Sequence, residues 1–335
     1  MSEIQIKHPY LMFLGDARDQ LAAKTADGIA YWRNDWCVGQ LRLPDCKADI
    51  GLPDMTISEA AALGAKSLII GVVNAGGVLP DSWTETIVKA LEAGFDVASG
   101  LHMRVSENQI VRETAERLGR QLFDVRHPTQ EFAIGKGTRR SGKRLLTVGT
   151  DCSIGKMYTS LAVERDMQAR GMKADFRATG QTGIFIAGTG VSVDAVVADF
   201  ISGSVEWLCP ENDPDHWDLI EGQGSLFHAS YAGVTLGLIH GSQPDALVMC
   251  HEPTRTNMRG LPNTPLPPID TCIRVNVEAA HLTNPECRMI GIAVNTSALE
   301  IDSAHEYIVA LEKETGLPCV DPVRDGVGRL VDALP

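Results

Sequence analysis

Residues 149–157, GTDCSIGKM, follow an apolar run at 145–148 and precede a helical pattern at 155–170. A strand, a Gly-rich loop and a helix form the setting in which a Gly-Lys pair binds phosphate. Backbone N–H groups of the loop and helix start converge on one anionic site, and Lys156 adds a positive charge. Gly155 has no Cβ to keep the backbone away from the phosphate. The segment predicts a phosphate-binding loop; the alternative is a Gly-rich turn with an incidental lysine.

Two departures from the usual phosphate-loop motif limit the kinds of ligand and reaction that this loop can support. The spacing from Gly149 to Gly155 is one residue longer than in G-x-x-x-x-G-K-[ST], and in this the loop resembles those of dethiobiotin synthetase and its relatives. Met157 stands where an NTP-hydrolysing enzyme places the Ser or Thr that holds Mg²⁺, and a thioether is a poor ligand for a hard cation. We therefore predict phosphate binding without a metal. The predicted loop contacts are Gly149, Thr150, Asp151, Cys152, Ser153, Ile154, Gly155, Lys156 and Met157.

Three further polar clusters follow apolar runs that we predict to be strands. They are ATGQTG at 178–183, EGQGSLFH at 221–228 and HEPTR at 251–255. Ligands bind outside the carboxyl ends of the strands in open α/β sheets, so these clusters predict a shared site. Glu221, His251 and Glu252 are its candidates for proton transfer. A histidine taken singly more often has a structural role, so the prediction depends on this crowding at strand ends.

Other residues of these clusters could bind a substrate. Arg255 is able to pair with a carboxylate through two hydrogen bonds, although a surface ion pair explains it equally well. Gln181 and Thr182, like Gln223, lie among glycines and could either bind a ligand or satisfy turn backbone. Cys152 lies at a helix start, where the pKa of a thiol falls, so it is either a nucleophile or a small packed side chain.

The arrangement of apolar segments predicts the elements that position these residues. Short apolar runs alternate with helical patterns, which is typical of parallel α/β sheets. We predict an α/β protein with a smaller Rossmann-like N-terminal domain at 1–135, a basic Gly-rich linker at 136–144 and a larger P-loop domain with a mostly parallel sheet at 145–335. A strand is also predicted at 273–277. The NAGG motif at 74–77 is a possible turn around a phosphate in the first domain.

Composition excludes several classes of partner. The chain has 335 residues and a formal net charge of -13, whereas nucleic acids and anionic membranes favour clustered Lys and Arg. No apolar stretch is long and uninterrupted enough to predict a membrane span. The eight cysteines form no CxxC pair, which predicts reduced thiols and no structural metal site. With no signal-peptide pattern at the start, these features predict a cytoplasmic protein.

Taken together, the motifs resemble one family. The loop, ATGQTG, EGQGSL, HEPTR and NTS at 295–297 match in order and spacing a bacterial and archaeal P-loop family long described as a domain of unknown function. NAGG and SGLHMR at 99–104 match the Rossmann-like N-terminal part of that family. The resemblance covers nearly the whole chain, and it is far more specific than the phosphate loop alone.

One branch of this family consists of D-glutamate N-acetyltransferases. The resemblance implies an enzyme of amino-acid catabolism that moves an acetyl group from acetyl-CoA to the amine of an acidic D-amino acid, and a homo-oligomer, dimeric or larger. The loop would then bind the phosphates of coenzyme A, which need no catalytic Mg²⁺. A base must deprotonate the ammonium, for which Glu221 and His251 are favoured over Glu252. Glycine-rich backbone at 180–183 or 222–224 could stabilise the oxyanion, and Arg177 and Arg255 could bind the carboxylates.

Two alternatives remain open from the sequence. The first is an enzyme that uses ATP and Mg²⁺ to activate a carboxylate or transfer a phosphoryl group, like dethiobiotin synthetase. The second is a protein that senses a nucleotide or coenzyme A without catalysis. Met157 distinguishes the first alternative, because a Thr there would suit Mg-ATP and not coenzyme A. The acids and histidines at strand ends disfavour the second.

Overall fold

The computed structural model describes residues 5–72 and 79–335, so the NAGG motif lies outside the described residues. The chain divides into two compact units. The first contains the described residues up to Thr129 together with Gly180–Ala195, and the second contains Gln130–Thr179 and Val196–Pro335. Both units are built from parallel sheets and helices, which confirms the predicted fold class. Among the described residues, no helix combines the length and apolarity needed to cross a bilayer.

The strands and helices of the described residues are numbered here in chain order. The strands are β1 Tyr10–Gly15, β2 Cys37–Arg42, β3 Ser67–Ile70, β4 Asp96–Ser99, β5 Leu122–Asp124, β6 Lys143–Gly149, β7 Ala174–Arg177, β8 Trp217–Ile220, β9 Ala246–His251, β10 Arg288–Val294 and β11 Cys319–Val320. The α-helices are α1 Lys24–Trp32, α2 Ile57–Ala62, α3 Asp81–Glu92, α4 Gln109–Leu118, α5 Lys156–Ala169, α6 Gln181–Ala187, α7 Ile201–Leu208, α8 Ala232–Ser242, α9 Ile269–His281, α10 Ile301–Thr315 and α11 Gly328–Asp332.

The first unit has a five-stranded parallel sheet in the order β2-β1-β3-β4-β5. Every residue of β1, β3 and β4 is buried, as expected when helices cover both faces of a parallel sheet. Helix α6 belongs to this unit although it comes from the middle of the chain. The sequence predicts a polar loop at 178–183 in the second domain, whereas α6 begins at Gln181.

The second unit has a six-stranded parallel sheet in the order β11-β10-β9-β6-β8-β7. Strand β6 lies near its centre, between β9 and β8, and only its first residue is not fully buried. All pairings are parallel, so the carboxyl ends of β6, β8 and β9 lie at one edge. The order of strands therefore places the phosphate loop between the segments that begin with Glu221 and His251.

The basic segment 136–144 is held against the P-loop domain. Arg140 donates to the carbonyls of Cys209 at 2.8 Å and Gly241 at 2.7 Å, and Arg139 donates to Asn284 Oδ1 at 2.9 Å. Arg144 lies at the amino end of β6, the opposite end from the phosphate loop. These arginines therefore stabilise the P-loop domain through residues outside the phosphate loop.

The predicted strand at 273–277 is wrong, because these residues lie within helix α9. Alternating β-branched residues in IRVNV favour a strand over a short window. The buried residues of the helix are instead Cys272, Asn276 and Ala280, spaced by four. That spacing fits one face of a helix, whereas a strand would bury alternate side chains.

Candidate active site

The phosphate loop curls tightly between β6 and α5. Ser153 and Gly155 both have positive φ values, 53° and 102°, and the latter residue caps the amino end of α5. A Cβ at Gly149 would lie 2.8 Å from Ile154 Cδ1 and 3.1 Å from Lys156 Nζ. A side chain at this position would have to displace Ile154 and the lysine, so glycine lets the loop close tightly. The loop therefore has the shape in which backbone N–H groups surround an anion.

Lys156 lies inside this curl and is only 6% exposed. Its Nζ donates to the backbone carbonyl of Asp151 at 2.8 Å. Burial lowers the pKa of the ammonium, and the neighbouring Asp151 and Glu221 partly oppose that shift. A buried ammonium paired with one neutral carbonyl gains from an anionic ligand. The side chain is thus placed to bind a phosphate.

Arg255 connects the loop to the segment that follows β9. One guanidinium nitrogen, Nη1, donates to Asp151 Oδ2 at 2.9 Å and to the Cys152 carbonyl at 2.8 Å. The other, Nη2, donates to Glu252 Oε2 at 2.7 Å. The hydroxyl of Thr254 also donates to Glu252. Arg255 is therefore already bound to two carboxylates of the protein, as is expected of a residue that positions the loop.

His251 ends β9 and lies beside the loop. Its Nδ1 is 3.1 Å from Thr150 Oγ1, and its Nε2 is 2.8 Å from the Tyr307 hydroxyl of α10. Burial lowers the pKa of this imidazole to about 4, and the nearby charge of Glu252 opposes the shift. The ring is therefore neutral near pH 7, with both nitrogens in contact with hydroxyl groups.

Glu221 lies on the other side of the loop, directly after β8, and is 4% exposed. Its Oε2 accepts from the amide of Thr179 at 3.0 Å. The next residue approaches β6 closely, since a Cβ at Gly222 would lie 1.7 Å from the Thr147 carbonyl oxygen and 2.9 Å from Lys156 Cδ. This close approach packs the segment after β8 against the phosphate loop, and the charge of Glu221 acts on the lysine of that loop.

The backbone after Glu221 carries two adjacent donors. The amide of Gly222 donates to Thr147 Oγ1 at 3.0 Å. Within residues 5–72 and 79–335, no hydrogen-bond partner is found for the amides of Gln223 and Gly224. The Gln223 side chain donates instead to Thr179 Oγ1 at 3.3 Å. In this part of the chain two consecutive N–H groups, directly after Glu221 in sequence, are therefore able to bind a ligand oxygen.

The other residues predicted to bind substrate, apart from Arg255 and Gln223, contact different parts of the protein. Arg177 donates through Nε to Asp218 Oδ1 at 2.7 Å, and Asp218 is buried within β8. Gln181 and Thr182 belong to the first unit, where the Thr182 hydroxyl donates to Thr25 Oγ1 at 3.5 Å. The contacts of Arg177 are those of a structural ion pair in the sheet, which the sequence could not distinguish from a carboxylate site.

The pKa of the Cys152 thiol is shifted in the direction opposite to the one that the sequence predicts. Burial raises the pKa of its thiol, and the charges of Lys156, Arg259 and Arg255 only partly offset the shift. The expectation of a lowered pKa at this helix start is therefore wrong. Asp151, Cys152 and His228 bring metal-ligand atoms within 4.8 Å of one another. However, His228 Nδ1 accepts from the Ser230 amide at 3.2 Å, and its Nε2 is 2.9 Å from the Arg259 carbonyl, so both ring nitrogens are already engaged.

A cavity of about 390 Å³ opens beside the phosphate loop, within the second unit. It reaches from the loop and the start of α5 to the segments that follow β10 and β11. Its walls include Ile154, Gly155, Tyr158, Asn295, Pro322 and Arg324. The NTS segment at 295–297, one of the motifs that resemble the family, contributes Asn295 and Ser297 to this wall. No motif of the sequence marks the segment after β11 or Tyr307.

Comparison with known proteins identifies relatives along nearly the whole chain. Residues 42–128 match a Rossmann-like domain of unknown function, DUF1611_N, and residues 131–331 match its P-loop partner, DUF1611_C. A Tritonibacter scottomollicae protein named D-glutamate N-acetyltransferase is 56% identical over 98% of this chain and 99% of the relative. A Pseudoalteromonas protein of the same name is 52% identical over 99% and 100%.

A solved structure agrees with this assignment. The crystal structure of a DUF1611 family protein from Anabaena variabilis is 32% identical, with a TM-score of 0.85 over 98% of this chain and 99% of that chain. The resemblance inferred from the motifs is therefore confirmed, both for the Rossmann-like part and for the P-loop part. The chain belongs to the DUF1611 family, in which its curated relatives are D-glutamate N-acetyltransferases.

Proposed function

We propose that this protein transfers an acetyl group from acetyl-CoA to the amine of D-glutamate, as a step of amino-acid catabolism. The names of the two relatives support the reaction. The observation that carries the choice of donor is the loop, where buried Lys156 lies ready for a phosphate and Met157 replaces the hydroxyl that would hold Mg²⁺. The pyrophosphate of coenzyme A fits a loop of this kind, because it needs donors and not a metal.

Glu221 is the base in this proposal. It removes one proton from the ammonium of D-glutamate, and the neutral amine attacks the thioester carbonyl carbon. The new C–N bond forms, the C–S bond breaks, and the proton still carried by the nitrogen neutralises the leaving thiolate. The products are N-acetyl-D-glutamate and free coenzyme A.

Three observations favour Glu221 over the other predicted bases. It follows β8 at the same edge of the sheet as the loop, is 4% exposed, and its carboxylate is held in place by the amide of Thr179. His251 has both nitrogens in contact with hydroxyl groups and a pKa near 4, which makes it a weak proton acceptor. Glu252 is paired with Arg255. We assign these last two residues to positioning the loop.

The oxyanion is stabilised in this proposal by the amides of Gln223 and Gly224. Among the described residues neither amide has a partner, and both follow the base directly. Preorganised N–H donors of this kind contribute much of the stabilisation of a tetrahedral intermediate. The amide of Gly222 is excluded because it binds Thr147.

Arg259 is our candidate for a substrate carboxylate, in place of Arg177 and Arg255. It is exposed, its charge reaches Cys152, and within the described parts of the chain its guanidinium has no hydrogen-bond partner. We expect Arg259→Gln to raise KM for D-glutamate about five- to tenfold, because exposure weakens a charge-assisted contact. Steady-state kinetics with each substrate varied in turn measures this. Arg274→Gln, which removes a surface arginine of α9, serves as the control and leaves KM unchanged.

A panel of D- and L-amino acids with acetyl-CoA tests the proposal. Release of free thiol is followed for each amino acid, and we expect it to be fastest with D-glutamate. No thiol above background with any member of the panel would remove the proposed function. Consumption of ATP with Mg²⁺ present would instead support the alternative related to dethiobiotin synthetase, which the longer loop spacing favours.

Met157→Thr distinguishes these two cofactors. It restores the hydroxyl that holds Mg²⁺ in NTP-hydrolysing enzymes. If the loop binds coenzyme A, the variant gains no ATP hydrolysis and keeps or loses acetyl transfer. A gain of Mg-dependent ATP hydrolysis over the unchanged protein, measured as released phosphate, would contradict the proposed donor.

The cellular setting is part of the same proposal. The eight cysteines are unpaired, as expected of a cytoplasmic protein. Resemblance to other P-loop proteins supports a homo-oligomer of two or more chains. Light scattering after size-exclusion chromatography measures the mass in solution, for which we expect at least twice the 36.1 kDa of one chain.

A further inference from the structure

The cavity beside the phosphate loop continues the site occupied by the proposed pyrophosphate. Gly155 belongs to the loop and also lines the cavity. At about 390 Å³ the cavity falls within the range of about 300–1,000 Å³ typical of small-molecule sites. A ligand whose phosphates bind in the loop therefore has room for its adjoining group in this cavity.

The lining of the cavity has the chemical composition that suits a heteroaromatic ring. Ile154, Ala293 and Val323 contribute apolar surface. Asn295 adds an amide whose Oδ1 accepts from the Ser297 backbone at 3.2 Å, and its NH₂ group has no partner among the described residues. Apolar walls with one or two placed polar groups are the usual composition of such a pocket.

Both oxygens of the Asp321 carboxylate in the wall are bound by donors of the protein. Asp321 Oδ2 accepts from the amide of Thr296 at 3.1 Å and also from its hydroxyl. The other oxygen, Oδ1, accepts from the amides of Val323 at 2.9 Å and Arg324 at 3.0 Å. These bonds fix the segment after β11 and leave Arg324 at the rim.

Arg324 is the cationic side chain of the lining. Its Nη2 donates to the Leu299 carbonyl at 3.0 Å, and in the described part of the chain its other N–H groups have no partner. An exposed guanidinium anchored at one corner matches a phosphate monoester, which accepts two parallel hydrogen bonds. The cavity therefore offers a base site and, separately from the loop, a second phosphate site.

We propose that this cavity binds the 3′-phosphoadenosine end of acetyl-CoA, with Arg324 as the residue that selects for the 3′-phosphate. The inference rests on the proposed function, in which a CoA thioester is the donor. ATP has no phosphate at the ribose 3′ position, so Arg324 makes the site selective between the two ligands. A dicarboxylate such as D-glutamate fits less well, because the lining offers one cation and mostly apolar walls.

Titration calorimetry with coenzyme A and 3′-dephospho-coenzyme A tests this assignment. We expect the unchanged protein to bind coenzyme A about tenfold more tightly, and the ratio to fall as salt screens the exposed contact. Arg324→Gln brings the ratio to about one. Asn295→Ala weakens both ligands by a similar factor and keeps the ratio. Arg288→Gln, at the opposite end of β10, changes neither affinity.

The outcomes separate this inference from the proposed function. If the unchanged protein binds both ligands equally, or if Arg324→Gln keeps the tenfold ratio, the assignment of the 3′-phosphate is wrong. Acetyl transfer to D-glutamate would then still stand. If coenzyme A does not bind and no thiol is released from acetyl-CoA, the proposed function and the inference both fail. Thermal unfolding of each variant verifies that it folds.

Discussion

Replacing Glu221 with Gln lowers kcat for acetylation of D-glutamate by about 10²–10⁴-fold, the range that general-base catalysis contributes. The amide is nearly the same size and still accepts from the amide of Thr179, so the fold around β8 is kept. It cannot take the proton from the ammonium. We expect the affinity for acetyl-CoA to be kept or to rise, because the change removes a negative charge that acts on the lysine proposed to bind the phosphates.

Glu252→Gln is the matched control for this prediction. It removes a carboxylate from the same edge of the sheet, where Glu252 pairs with Arg255 and not with the proposed reacting atoms. We expect a loss in kcat of less than about tenfold, since the change acts only through the position of the loop. If Glu221→Gln kept kcat within about threefold while Glu252→Gln or His251→Gln abolished it, the assignment of the base would be wrong.

Replacing Lys156 with Ala weakens binding of acetyl-CoA by about 10- to 150-fold, which corresponds to the loss of a charge-assisted hydrogen bond worth about 1.5–3 kcal/mol. The side chain is 6% exposed, so bulk water does not replace the lost contact. We expect kcat at saturating acetyl-CoA to fall much less than the affinity. Titration calorimetry gives the dissociation constant directly.

Lys143→Ala is the control for the loop lysine. Lys143 begins the same strand, β6, and so lies at its amino end, away from the phosphate loop. Its Nζ donates to the Pro335 carbonyl at 2.7 Å. Its replacement leaves the affinity for acetyl-CoA unchanged. An equal loss in both variants would indicate general destabilisation of β6 and would contradict a direct contact between Lys156 and the phosphates.

Much of the fold follows from local patterns. The strand before the phosphate loop and the helix after it were predictable, because a buried run followed by a Gly-Lys loop has few other structures open to it. Helix α9 was not predictable in the same way, because the IRVNV segment matches the alternating pattern of a strand over five residues. Its burial every four residues becomes apparent only over the longer range Ile269–His281.

The sequence predicts which strand ends come together at the site. It does not predict which side chains contact one another there. Parallel pairing brings Glu221, His251 and the loop to one edge, which sequence alone could anticipate. The partners of Arg177 and Arg255 could not be anticipated, because an ion pair depends on which carboxylate the fold brings near. Tyr307 comes from α10, far along the chain, and no motif marks it.

Burial also changes the chemistry that a motif suggests. Cys152 lies at a helix start, where the positive end of the dipole favours the thiolate, but burial raises the pKa of its thiol. His251 is titratable near neutrality in water, whereas burial lowers the pKa of its imidazole to about 4. Both effects arise from packing around the loop, and neither is visible in the order of residues.

Mass spectrometry of the product formed from acetyl-CoA and D-glutamate tests the central proposal most directly. We predict N-acetyl-D-glutamate and free coenzyme A in equal amounts, with no requirement for ATP or Mg²⁺ and with little product from L-glutamate. Formation of no acetylated product, or of a phosphorylated one that requires ATP, would contradict the proposed function of the loop at 149–157.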